Sequence, residues 1–105
     1  GRISLIRWFD RCCSTPARLF GLILNGVLDV GDDADLVLFD RLQIVTMSDD
    51  VLHEKVVCTP FDGIEVTGWP AHTISRGAVI VQDGNFCGRA GHGRFIARSV
   101  KEPGF

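Results

Sequence analysis

The stretch that decides the fold is Gly26-Val27-Leu28-Asp29-Val30-Gly31-Asp32-Asp33-Ala34-Asp35-Leu36-Val37-Leu38-Phe39-Asp40. Residues 27–30 read as a short alternating strand. Gly31, Asp32 and Asp33 offer the turn-type φ values that a hairpin needs. Leu36 to Phe39 is an unbroken apolar run, the composition of a strand covered on both faces. The stretch predicts a strand, a tight acidic turn and a second strand, and it sets the class as mainly β.

Outward from this point the strand pattern continues. Residues 35–40, 43–46, 64–67, 72–75 and 78–82 alternate or run apolar, with a weaker strand at 85–87. Asp83-Gly84 between two such runs is a two-residue hairpin signal. Gly77 marks a bulge or a tight corner. Residues 47–60 are polar and non-periodic and read as a loop. Residues 88–105 are glycine-rich and read as an extended, irregular tail.

Before the strands the period changes. Leu5, Trp8, Phe9, Cys12 and Cys13 fall at i, i+3, i+4, i+7 and i+8, one apolar stripe of a helix, with Ser4 as its N-cap and Arg7, Asp10 and Arg11 on the other face. Thr15 as N-cap, Pro16 at the first helical position and Gly21 as the stop predict a second, very short helix. The expected organisation is a helical segment at 1–22, a β-sandwich part at 23–87 and a tail at 88–105.

The 105 residues exclude a (β/α)₈ barrel, which needs roughly 200 or more. At 46% hydrophobic and a mean hydropathy of +0.20, the chain is apolar for a small free-standing domain, as a piece missing its partner surface would be. Residue 1 is Gly, which predicts a processed or partial chain. Net charge is −2 and the eleven basic residues are scattered, which argues against nucleic acid. No apolar run is long enough to span a bilayer and no signal-peptide pattern opens the chain.

The candidate reactive residues are dispersed. Cys12, Cys13, Cys58 and Cys87 include no C-x-x-C pair and read as reduced thiols of a cytoplasmic protein. His53, His72 and His92 lie 19 and 20 residues apart, without H-x-H or H-E-x-x-H spacing. Gly88, Gly91 and Gly93 open no helix and make a weak phosphate loop. Trp8, Phe9, Phe20, Phe39, Trp69 and Phe86 read as core or domain-interface anchors, and Arg76 and Arg94 as ion-pair or backbone contacts. These residues predict no catalytic, cofactor-binding or metal-binding site.

Five segments in order carry a family resemblance. Ser14-Thr15-Pro16-Ala17-Arg18-Leu19-Phe20-Gly21-Leu22 and then Gly26 to Asp40 are similar to the segments with which amidohydrolases leave their catalytic barrel and return to a small β-sandwich. Thr59-Pro60-Phe61-Asp62-Gly63-Ile64-Glu65-Val66-Thr67-Gly68-Trp69-Pro70, Thr73-Ile74-Ser75-Arg76-Gly77-Ala78-Val79-Ile80 and Gly88-Arg89-Ala90-Gly91-His92-Gly93-Arg94-Phe95-Ile96-Ala97-Arg98 resemble motifs of the dihydropyrimidinase and D-hydantoinase branch. The resemblance covers residues 3–98.

That resemblance implies a C-terminal, non-catalytic part of a cyclic-amide hydrolase, inactive alone. In the branch, zinc ions bridged by a carboxylated lysine activate the attacking water, and their ligands lie on the barrel; none maps onto this chain. Asp33 and Asp35 become turn and strand-edge residues rather than paired acids. The expected fold is a partial sandwich with two short helices, completed by the N-terminal strands of the parent. The expected partners are those strands, the barrel and further copies in a homo-oligomer. Phe95 and Ile96 are expected to dock, with the residues after Lys101 disordered or held only by a partner chain. The alternatives are a piece of a non-catalytic dihydropyrimidinase-related protein, an unrelated small β binding module, and a zinc module built on the cysteines and histidines. A modest lean towards a bacterial-type enzyme rests on Gly91, Gly93 and Arg98.

Overall fold

Proline sets the character of the first element. The computed structural model describes residues 2–53 and 58–99, and in it the chain runs helically from Leu5 to Phe20 as α1 (Leu5–Phe9), a π-helical turn (Asp10–Ser14) and α2 (Thr15–Phe20). Ser4 caps it, its Oγ accepting from the Arg7 N–H at 3.2 Å. The expected second start at Thr15 is corrected. Thr15 has helical angles, φ −65° and ψ −47°, and its N–H donates to the Asp10 carbonyl. Pro16 has no N–H to give Cys12, and its ring crowds that carbonyl. The wider π turn accommodates both, so two predicted helices become one. The stop at Gly21 stands: φ is +73°, and the N–H groups of Gly21 and Leu22 reach the Arg18 and Ala17 carbonyls at 3.3 and 2.9 Å.

This helix belongs to a unit formed by Gly1–Asp35 and Ala90–Phe105. Ala17, the one buried hydrophobic residue among those described, packs where Gly26 approaches. A methyl on Gly26 would overlap the Ala17 Cβ and lie 2.9 Å from the Cys13 carbonyl oxygen. The Ser14 hydroxyl donates to the Gly26 carbonyl at 2.8 Å. The strand expected at 27–30 does not form. A strand needs a neighbour for its N–H and C=O groups, and no described residue pairs with these four. The segment is instead held by turns: Asp32 N–H to Asp29 carbonyl at 3.3 Å, and Asp33 N–H to Leu24 carbonyl at 2.9 Å.

The described part of the tail is irregular, as expected, and is tied at Ser99, whose N–H donates to the Gly21 carbonyl at 2.8 Å. Phe95 is 94% exposed and Ile96 43% exposed, so the described residues do not dock the Phe95 ring and cover Ile96 only in part. The expectation for residues after Lys101 lies outside the described residues.

The second unit, Leu36–Arg89, is one antiparallel sheet in the order β1 (Leu36–Thr46), β2 (Glu65–Ser75), β3 (Ala78–Gln82), β4 (Asn85–Phe86). The strands expected at 35–40 and 43–46 fuse. The gap between them is a bulge, where the register breaks between Asp40 and Ile44 and the Asp40 carboxylate accepts from the Leu42 N–H at 2.9 Å. The strands expected at 64–67 and 72–75 fuse likewise, across Pro70. Phe39 pairs with Pro70 and Leu38 with His72, which leaves Ala71 as the extra residue of a bulge. That irregularity lets a proline sit in a strand with neighbours on both sides.

Arg76-Gly77 and Asp83-Gly84 join β2 to β3 and β3 to β4, with positive φ at all four residues (45° and 79°, 49° and 80°), the type I′ geometry that suits strand twist. The loop reading of 47–60 holds for its described residues, and 54–57 lie outside them.

β1 is exposed along most of its length, while β2 is mostly half-buried. Val37 and Leu38 are 57% and 49% exposed, so the run expected to be covered on both faces is open in this chain. No described side chain is fully buried.

Candidate functional site

A reaction centre needs groups that converge, and among the described residues the titratable side chains do not gather into one. Asp35 accepts from the Asn25 amide at 3.0 Å and serves the turn, while the Asp33 N–H bonds the Leu24 carbonyl. His72 is on β2. Its Nδ1 accepts from the Asp83 N–H at 3.4 Å and its Nε2 lies 3.5 Å from the Asp83 carboxylate, which ties the β3–β4 turn to β2. His53 tilts against Phe86 with ring centroids 6.3 Å apart, and His92 sits half-buried in the tail. Cys12, Cys13, Cys58 and Cys87 are free thiols, and the Cys87 Sγ donates to the Val79 carbonyl at 3.4 Å. Among the described residues no three His, Cys, Asp or Glu side chains come close enough to hold a metal ion. The donor set of the described residues therefore does not fit zinc, whose sites take three or four such ligands.

What the chain does present is apolar surface. On α1, Leu5, Trp8 and Phe9 keep roughly half their surface in water, and Ile6 most of it. On β1, Val37, Leu38, Leu42 and Ile44 do the same, and on the β3–β4 hairpin so do Val79 and Phe86. Removing apolar surface from water contributes roughly 25 cal/mol per Å² before association costs, so the chemistry available is burial against another surface. Charge is interspersed among these apolar residues, with Asp40 and Arg41 on β1 and Asp83 in the β3–β4 turn.

Comparison with known proteins gives this surface a context. The model of the amidohydrolase family matches residues 1–80. The chain belongs to the amidohydrolase family. Among curated relatives of this amidohydrolase chain is a D-phenylhydantoinase of Escherichia coli O1:K1, 41% identical over 104 residues that make up 98% of this chain and 23% of that protein. A D-hydantoinase of Geobacillus stearothermophilus is 39% identical over 94% of this chain and 21% of its own length. Among solved structures, a D-hydantoinase from Bacillus sp. AR9 and a dihydropyrimidinase from Brevibacillus agri each superpose with a TM-score of 0.88 at 41% identity, over 94% of this chain and 22% of theirs. The amidohydrolase chain thus spans about a quarter of the relatives it matches. Among its described residues no helix is long and apolar enough to cross a membrane.

Within the amidohydrolase chain, Leu42 is a surface residue that the sequence reading passed over. It is 85% exposed and falls between the two strands expected around it. Its signal was present: an apolar residue between Arg41 and Gln43, two places after an aspartate able to accept from its N–H.

Proposed function

We propose that this chain is the C-terminal, non-catalytic part of a hydantoinase- or dihydropyrimidinase-type hydrolase of cyclic amides. The observation that carries the reading is the match itself: 98% of the chain aligns with 23% of a D-phenylhydantoinase at 41% identity. The open apolar faces support it, because a segment taken from a larger body presents the surfaces that body would cover.

In this reading residues 1–22 lead out of the barrel, 23–87 build one part of a β-sandwich and 88–105 form a tail. The exposed faces of β1 and of the β3–β4 hairpin pack against strands contributed by the rest of the protein. The apolar stripe of α1 rests on the barrel. Zinc, where the whole enzyme uses it, is held by residues outside this chain, since the described residues offer no donor set for it. The assembled protein is a cytoplasmic homo-oligomer, and this chain contributes to its subunit contacts.

The test is a graft. The stretch of the Geobacillus stearothermophilus D-hydantoinase that matches this chain is replaced by residues 2–105. The expected result is a soluble protein that retains hydantoin hydrolysis, while the chain alone hydrolyses neither dihydrouracil nor a 5-substituted hydantoin and carries no zinc. Turnover or stoichiometric zinc in the isolated chain overturns the reading, as does a graft that fails to assemble.

A further inference from the structure

The helix that opens the chain carries a break in phase that its sequence does not advertise. In an unbroken α-helix, with about 100° between successive residues, the stripe of Leu5, Trp8, Phe9, Cys12 and Cys13 continues through Pro16, Leu19 and Phe20. Arg7, Arg11 and Arg18 then share the opposite face. The apolar period alone thus fits one straight amphipathic helix, against the second start that Thr15 and Pro16 signal. The structure instead has the π turn at Asp10–Ser14, in which the Thr15 N–H reaches back five residues to Asp10. A π turn takes up about one extra residue, so everything after it is turned back by about 100°. Ala17 moves into line with Leu5 and Cys12. Leu19 moves away, towards the side that holds Arg7 and Arg11.

Three observations bear on what sets this offset. Pro16 lacks the N–H that would bond the Cys12 carbonyl in an α-helix, and it stands immediately after the π turn. A side-chain chain spans the turn: Arg18 Nη2 donates to Thr15 Oγ1 at 3.3 Å, and Thr15 Oγ1 donates to Asp10 Oδ1 at 3.1 Å. The downstream half is fixed by its neighbours, through Ala17 against Gly26, the Ser14 hydroxyl on the Gly26 carbonyl and the Ser99 N–H on Gly21.

We propose that Pro16 is the phase-setting residue of this helix: by forcing the π turn it holds α1 rotated by about one residue relative to α2, so that the apolar stripe of α1 lines up with the Ala17–Gly26 contact. With α2 held in place, loss of the turn rotates α1 and carries Trp8 with it. This inference is independent of the proposed function, since it concerns only the register within one helix.

Two variants of the whole chain test it, with 5-fluorotryptophan at Trp8 and Trp69 and couplings measured across hydrogen bonds. In P16A the Thr15 N–H partner moves from Asp10 to Arg11, the Trp8 fluorine resonance shifts, and the Gly26 and Ser99 amides keep their positions. In P16A combined with deletion of Cys12, Asp10 stands four residues before Thr15. The Thr15–Asp10 bond then persists as an ordinary α bond, and the Trp8 resonance returns to its wild-type position. The proposal is overturned if Thr15 stays on Asp10 in P16A, if the helix is lost there, or if the deletion fails to restore Trp8.

Discussion

Replacing Gly21 by alanine asks whether the tail is part of the fold. Gly21 ends α2 at φ +73°, a conformation that costs a residue with a Cβ roughly 1–2 kcal/mol. The new methyl would overlap the Ser99 carbonyl oxygen and lie 3.2 Å from the Ser99 nitrogen. Both are backbone atoms, so the tail must move as a whole, and the 2.8 Å bond from the Ser99 N–H to the Gly21 carbonyl is lost, about 1 kcal/mol more. The lost bond, about 1 kcal/mol, lowers protection of the Ser99 amide against hydrogen exchange by roughly 5-fold or more, while the backbone strain adds to the cost of folding as a whole. Gly91→Ala is the control. Its φ is +83° and no atom lies within 4 Å of the added Cβ, so it carries the same backbone strain without the collision. It should leave Ser99 protection unchanged. Equal protection of Ser99 in the two variants would refute the reasoning, because the contact would then carry no free energy.

Asp83→Val places a β-branched residue at φ +49° in the β3–β4 turn; it should destabilise that hairpin by about 1–2 kcal/mol, read as faster exchange of the Cys87 amide that bonds the Ile80 carbonyl at 2.8 Å. Phe95→Ala should change the stability of the isolated chain by less than about 0.5 kcal/mol in a urea titration followed by tryptophan fluorescence, because the ring is 94% exposed. The isolated chain should bind a hydrophobic dye strongly and gain mass with concentration in light scattering, given the exposed apolar side chains of α1 and β1; a monomer that ignores the dye would count against open apolar faces.

The features legible in the sequence were those decided locally. Ser4 caps because its hydroxyl reaches an N–H three residues on, and Gly21 stops the helix because it alone takes the left-handed angle freely. Asp83-Gly84 fixes its hairpin by turn chemistry. What the sequence concealed depends on distant partners. Residues 27–30 carry a strand pattern, but a strand exists only beside a neighbour. The run Leu36–Phe39 reads as buried whichever molecule supplies the cover. Pro16 is ambiguous in another way, since the same residue starts a helix or distorts one already begun, and only the path of residues 10–14 decides. The uncovered stripe of α1 was legible because its period marks the face, while Phe95 gave no sign that its ring would stand clear.

The two short turns have a kinetic consequence. β2, β3 and β4 are joined by two residues at each step, so their pairing requires little loop closure and belongs to the microsecond class of hairpin formation. β1 joins β2 only after residues 47–64, eighteen in all, have been closed, and its pairing carries the larger entropy loss. Until β1 has closed that loop, the outer edge of β2 is unclaimed. During that interval any extended apolar segment competes with β1 for the edge, and the bulge at Ala71 and the absence of an N–H at Pro70 make it a poor template for the wrong strand.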